Sequence, residues 1–316
     1  MTSHTFSRIQ NRATPRAIKP AFATALAIVG SLSAYLPEAQ AEQNIVYQYQ
    51  EGLDNFALTQ QQFINTADNE LEQDQEGTQN TAEATQKQES GSLIQQQQEG
   101  IFNQAYAQQQ YGTGNEVHSL QVGTENRVTS LQSVSYNSRT QVQQGGFGNE
   151  ADAQQLDGNF NDLRIRQVGI QNRAEIQQTS AFYARSFVAQ RGNDNTTAVA
   201  QTGVAQLSIS VQEGAFNKSV IQQSGTLQQS DVFQDGLANQ ASLLQAGDDN
   251  QIGARQSGNF NQLTIEQRDA IGLGGNHQAT ISQSGTLNAT TVNQTGISSS
   301  ATVTQYGVGN SVSLSH

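Results

Sequence analysis

QEGAFNKSVIQQSGTLQQSDVFQDGLANQ, residues 212–240, places Gln212, Gln223 and Gln234 eleven residues apart, with a glycine two places after each. Glutamine is seldom found at regularly spaced interior positions of a soluble domain, so its periodicity needs a physical reason. Between the glutamines the chain alternates. In Asn239-Gln-Ala241-Ser-Leu243-Leu-Gln245, the Asn, two small or aliphatic residues and the next Gln fall on one side of a β-strand.

Working outward from this stretch, the pattern Gln-x-Gly-x-x-Asn recurs twelve times. It occupies Gln50, Gly52 and Asn55; Gln75, Gly77 and Asn80; Gln98, Gly100 and Asn103; Gln121, Gly123 and Asn126; Gln144, Gly146 and Asn149; and Gln167, Gly169 and Asn172. It continues at Gln190, Gly192 and Asn195; Gln212, Gly214 and Asn217; Gln234, Gly236 and Asn239; Gln256, Gly258 and Asn261; Gln283, Gly285 and Asn288; and Gln305, Gly307 and Asn310. The intervals are 25, five of 23, three of 22, 27 and 22 residues. A looser copy lies about half a period on, at Gln110, Gln201, Gln223, Gln245 and Gln294. The unit is therefore 22–23 residues long, with a strict and a relaxed half.

Each half predicts one strand, with Val199, Ile221, Val232, Leu243, Ile265, Val292, Val303 and Leu314 repeating on the inner face and mostly Thr, Ser, Gln, Asp and Arg outside. Gly and Asn, both tolerant of positive φ, supply the reversals. Two strands per unit predict an all-β solenoid of about twelve coils, a rod on the order of 55 Å long at the interstrand spacing. A column of stacked glutamines satisfies itself, because each amide donates to one neighbour and accepts from the other. An isolated buried amide costs a few kcal/mol, whereas each ladder bond contributes about 0.5–1.5 kcal/mol. A shifted coil would set an amide against an aliphatic side chain, so the column also holds register. Low hydropathy alone would permit a disordered Gln-rich chain, but disorder does not keep twelve glycines in phase.

The first 41 residues have the form of a secretory signal peptide. Arg8, Arg12, Arg16 and Lys19 precede the apolar stretch Ala21–Leu36, and Ala39-Gln40-Ala41 is a small-x-small cleavage site. The domains expected are thus residues 1–41, a leader, and 42–316, the repeats. The chain has 15 Lys plus Arg, 27 Asp plus Glu and a net charge of −12; four of the basic residues and one acid are in the leader, which leaves −15 for the rest. Nucleic acid and anionic lipid are poor partners for such a chain. Cysteine is absent and all three prolines (Pro15, Pro20, Pro37) are in the leader, so nothing covalent staples the repeats and no proline obstructs strand pairing between molecules. NIVYQYQ (44–50) and NSVSLSH (310–316) keep the repeat pattern, so open strand edges are expected at both ends of the rod.

In these residues the chain resembles the curlin repeat family, the subunits of bacterial surface fibres called curli. In that family Ser or Asn leads an alternating strand to Gln-x-Gly-x-x-Asn and a second strand to another Gln. ATVTQYGVGNSVSLSH (301–316) and SLQVGTENRVTSLQS (119–133) are close to that form. The resemblance spans the repeats and implies passage through an outer-membrane channel, then self-assembly into extracellular amyloid-like fibres that support adhesion and biofilm matrix. The partners it implies are the chain itself, a second curlin-type subunit and that channel. The chain departs from the family in its larger number of units, in lacking a recognisable Gly-rich segment after the leader, and in extra residues at 268–276, where Asp269 replaces the glycine.

Other chemistry is weakly signalled, and neither an enzyme, a small-molecule substrate, a cofactor nor a metal is expected. His118 and His277 fall on polar-face or turn positions, and no Ser/His/Asp arrangement or paired metal-ligand spacing emerges. Glu70, Glu72, Asp74 and Glu76 alternate along one strand face and read as a solvated edge that delays aggregation rather than a calcium loop. Gly272–Gly275 reads as a looped-out turn rather than a phosphate loop. Arg127, Arg164, Arg166, Arg173, Arg185 and Arg191 cluster mid-chain, either on a solvated face or in contact with the acidic coils of another subunit. The alternative to a fibre subunit is a secreted solenoid adhesin or other binding module that does not polymerise. Ice binding would need regular outward Thr pairs, which the varied outer positions do not provide.

Overall fold

A computed structural model of the chain describes residues 8–9, 44–62, 68–269 and 275–316. The expected leader, with Ala39 and Ala41, lies outside these residues except for Arg8–Ile9, a two-residue strand beside Ile45–Val46. From Ile45 the chain forms twelve successive strand pairs, one strand of each pair in a first sheet and one in a second, with every neighbouring pairing parallel. The strands of one sheet alternate in sequence with those of the other. This is a β-solenoid.

Alternation decides which side chains face inward. In Gln240–Asp248, Ala241, Leu243 and Gln245 are buried while Gln240 and Ser242 are exposed. Stacking then converts each inward position into a column. Leu243 lies beside Ile221 and Ile265, and Ile265 beside Val292. All seven expected core residues from Val199 to Val303 are at most 5 % exposed, whereas Leu314, in the last described coil, is 39 % exposed. Its register partner Val292 covers it on one side only.

The reversals differ from the expected chemistry in one respect. In the strict turn Gly214 has φ +105° and the residue before the Asn, Phe216, has φ +56°, while Asn217 keeps an ordinary φ. The Asn is there for its side chain. The relaxed turn explains the two unit lengths. Between Gln86 and Ala181 each relaxed arc carries an extra residue at positive φ, namely Gln88, Tyr111, Val134, Asp157 and Ser180. From Gln201 onward that residue is gone, and the register between the strands shifts between Gln178 and Ala181 where the change occurs. Units of 23 residues thereby become units of 22.

Candidate functional site: amide columns along the rod

The first column runs from Gln50 through Gln75, Gln98, Gln121, Gln144, Gln167, Gln190, Gln212, Gln234, Gln256 and Gln283 to Gln305. Each Nε2 donates to Oε1 in the next coil at 2.6–3.0 Å. The amide's second hydrogen goes across the interior to the other sheet, as from Gln212 Nε2 to the Thr196 carbonyl at 3.0 Å. One side chain thus ties coil to coil and sheet to sheet.

A second column runs through the relaxed halves, from Gln61 and Gln86 to Gln109, Gln132, Gln155 and Gln178, and on through Gln201, Gln223, Gln245, Gln267 and Gln294, at 2.7–3.0 Å. Gln110, expected here from its Gln-x-Gly spacing, is displaced: Gln109 takes the column and Gln110 donates to Ser133 Oγ outside it. The extra residue of the 23-residue unit moves Gly112 one place further from the true column glutamine.

The asparagines form a third column at the strict turn. Asn217 Oδ1 accepts from both the backbone and side-chain nitrogens of Asn239, at 3.0 and 3.1 Å, and Asn217 Nδ2 donates to the Gly236 carbonyl at 3.0 Å. The same contacts recur from Asn80 to Asn310. The Gly column is sterically closed: a Cβ on Gly214 would come within 2.1 Å of the Gly236 carbonyl oxygen. Where Asp269 interrupts the relaxed turns, its carboxylate accepts from the Asp248 amide and from Asn250 Nδ2.

Three features escaped sequence reading. The first is another amide column, Gln48–Gln73–Gln96, bonded at 3.0 and 2.8 Å on the inner position that Val142, Ile165 and Val188 fill further along. At that position the first coils are polar where later ones are aliphatic, while the neighbouring inner position runs the other way, from Val46, Leu71 and Ile94 to Ser186, Ser208 and Ser230. The alternation around Gln73, Gln75 and Gln96 carried this signal. The second is His277, placed at a turn as expected but fully buried, with Nδ1 2.8 Å from Ser299 Oγ and Nε2 3.7 Å from Asp269. The third is Glu89, buried where equivalent coils carry Gly112, Ser135, Gly158 and Ala181. Burial pushes its carboxyl up to about 7, partly offset by hydrogen bonds from Ser92 at 2.8 Å and Asn115 at 3.1 Å.

Outside, Glu51, Glu76 and Glu99 share one in-register column in the first three coils, beside Glu72 and Asp74. Partial burial, then Glu72, Glu76 and Glu51, raise the Asp74 carboxyl above its ordinary value. Mid-rod, arginines sit against acids of the same chain, as in Arg139–Glu116, Arg164–Asp162 and Arg173–Glu150. Among the described residues no group of three or more His, Asp or Glu is arranged to hold a metal ion.

Fold and columns together define a structural repeat protein, a parallel two-sheet solenoid held by stacked amides. A family model described as the curlin associated repeat matches residues 274–307, a span that includes Gln283, Gly285, Asn288, Gln305 and Gly307. No curated protein matches the chain. The chain thus carries a curlin repeat on a β-solenoid, in keeping with a structural, curli-like subunit.

Proposed function

We propose that the protein is the subunit of an extracellular amyloid-like fibre, built by stacking one copy's coils on another's and supporting adhesion and biofilm matrix. The carrying observation is that successive coils meet through the same columns in the same register, so the surface a coil offers above matches the one it receives below. The basic, apolar, small-residue leader and the curlin repeat support a place outside the cell, with a second curlin-type subunit and an export channel as further partners. Fibre diffraction of aged, purified protein tests the reading. Reflections near 4.7 Å along the fibre and about 10 Å across it are expected. A protein that sediments as a stable monomer and never yields them is instead a soluble solenoid adhesin.

A further inference from the structure

The outer face of the first sheet is divided by charge along the rod. From Ile45 onward its first seven strands are Ile45–Leu53, Glu70–Thr78, Leu93–Ile101, Glu116–Thr124, Arg139–Phe147, Asp162–Ile170 and Arg185–Asn193, one per coil. The first two present Glu51, Glu72, Asp74 and Glu76 outward, and the sixth and seventh present Arg164, Arg166, Arg185 and Arg191. Register puts opposite charges in the same columns: Glu72 with Arg164, Asp74 with Arg166, and Glu51 with Arg191. Four coils separate the first two pairs, about 19 Å at the interstrand spacing, so they cannot meet within one molecule. Among the described residues Arg166 and Arg185 make no ion pair, and Arg191 lies 3.9 Å from Glu213.

We infer that this face docks a second copy of the chain, with the two rods antiparallel and related by a two-fold axis along the strand of the fourth coil, Glu116–Thr124. That operation keeps each residue's place along the strand and sets the second coil of one copy over the sixth of the other. Glu72 then faces Arg164, Asp74 faces Arg166 and Glu51 faces Arg191, each twice. Tyr47 meets Phe187 beside them. It creates two like-charge juxtapositions: Glu116 with its own copy, where each Glu116 already pairs with Arg139, and Glu70 with Asp162, where Asp162 already pairs with the same Arg164 that faces Glu72. A parallel arrangement of the same faces would stack acid on acid, so charge selects the antiparallel one. This pairing is lateral and stands whether or not the coils also stack end to end.

The absence of cysteine provides the test. Gln97 and Gln143 occupy the same outward column in the third and fifth coils. The two-fold brings Gln97 of one copy over Gln143 of the other. Facing sheets and the two positions within one copy are both about 10 Å apart, beyond disulfide reach, so the cysteines are placed on different copies and joined by a cross-linker. In an end-to-end stack the two positions of neighbouring copies are further apart still. The full chain carrying Gln97→Cys, isotopically light, mixed with the full chain carrying Gln143→Cys, isotopically heavy, and treated with a bis-maleimide that spans about 10 Å, should give a 97–143 cross-link between copies. Either single-cysteine variant alone should give little. Adding Arg164→Glu and Arg166→Glu, or high salt, should abolish the cross-link, and further adding Glu72→Arg and Asp74→Arg should restore it at low salt. Absence of the 97–143 product, predominance of 97–97 links, or a yield indifferent to charge reversal would overturn the pairing. Fibre diffraction on the same samples reports separately on axial stacking.

Discussion

Glu89 occupies a turn position that other coils fill with Gly, Ser or Ala, and its carboxyl is buried without a cation beside it. Its folded pKa, about 7 against an ordinary 4.5, means that the folded coil binds a proton the unfolded chain has released. The stabilisation is complete below the ordinary value and is lost as pH rises through 7. Over that window the cost is on the order of 3 kcal/mol, felt locally. Hydrogen exchange across residues 81–115 should therefore accelerate from pH 4.5 to 7 beyond its intrinsic rate, and Glu89→Gln should remove most of that acceleration. An unchanged slope in the variant would assign it to other groups. Gly214 poses a steric question: with φ +105° and the Gly236 carbonyl 2.1 Å from any Cβ, Gly214→Ala should cost upwards of about 2 kcal/mol. Gly253→Ala is the matched control, because its Cβ would meet nothing within 4 Å; it should be neutral or slightly stabilising in denaturant melts.

At the scale of the coil, the first three units and the later ones are built differently. The inner position held by Gln48, Gln73 and Gln96 becomes Val142, Ile165 and Val188, and each aliphatic side chain there is worth about 1.5–3 kcal/mol of burial. Amides in the same place contribute a net bond of about 1 kcal/mol each. The Glu51–Glu76–Glu99 column adds like-charge repulsion at the same end. Hydrogen exchange should consequently be fastest over residues 44–120 and slowest over 140–305. Added salt should slow it selectively at the acidic end, and uniform protection along the rod would contradict this account.

For the molecule as a whole, the repeat made the architecture legible before any coordinates. Twelve glutamines in phase with glycine imply stacked coils, because a row of buried amides is satisfied by copies of itself one coil away. Less was legible where the signal was weaker than the geometry. The Gln-x-Gly spacing points to Gln110, whereas the alternation from Asn103 through Ala105 and Ala107 points to Gln109; alternation prevails, because the extra residue at positive φ, Tyr111, lengthens the turn to the glycine. The Asn was readable as a turn residue, but its role as a clamp on the next coil's glycine carbonyl depends on a neighbour 19–24 residues away. His277 read as a polar-face or turn residue and Glu89 carried no signal; both are buried because the coils above and below cover them.

The sequence by itself determined the period, the two strands per coil, the inward amides and the obligatory glycines, because each is enforced by a local rule of alternation, turn geometry or hydrogen-bond satisfaction repeated twelve times. Only the tertiary structure decided which turn sheds the extra residue, that Glu89 and His277 are covered, and which outward charges share a column. Those depend on register between coils. Register is set by contacts across a whole turn of the solenoid, beyond the reach of any window of neighbouring residues.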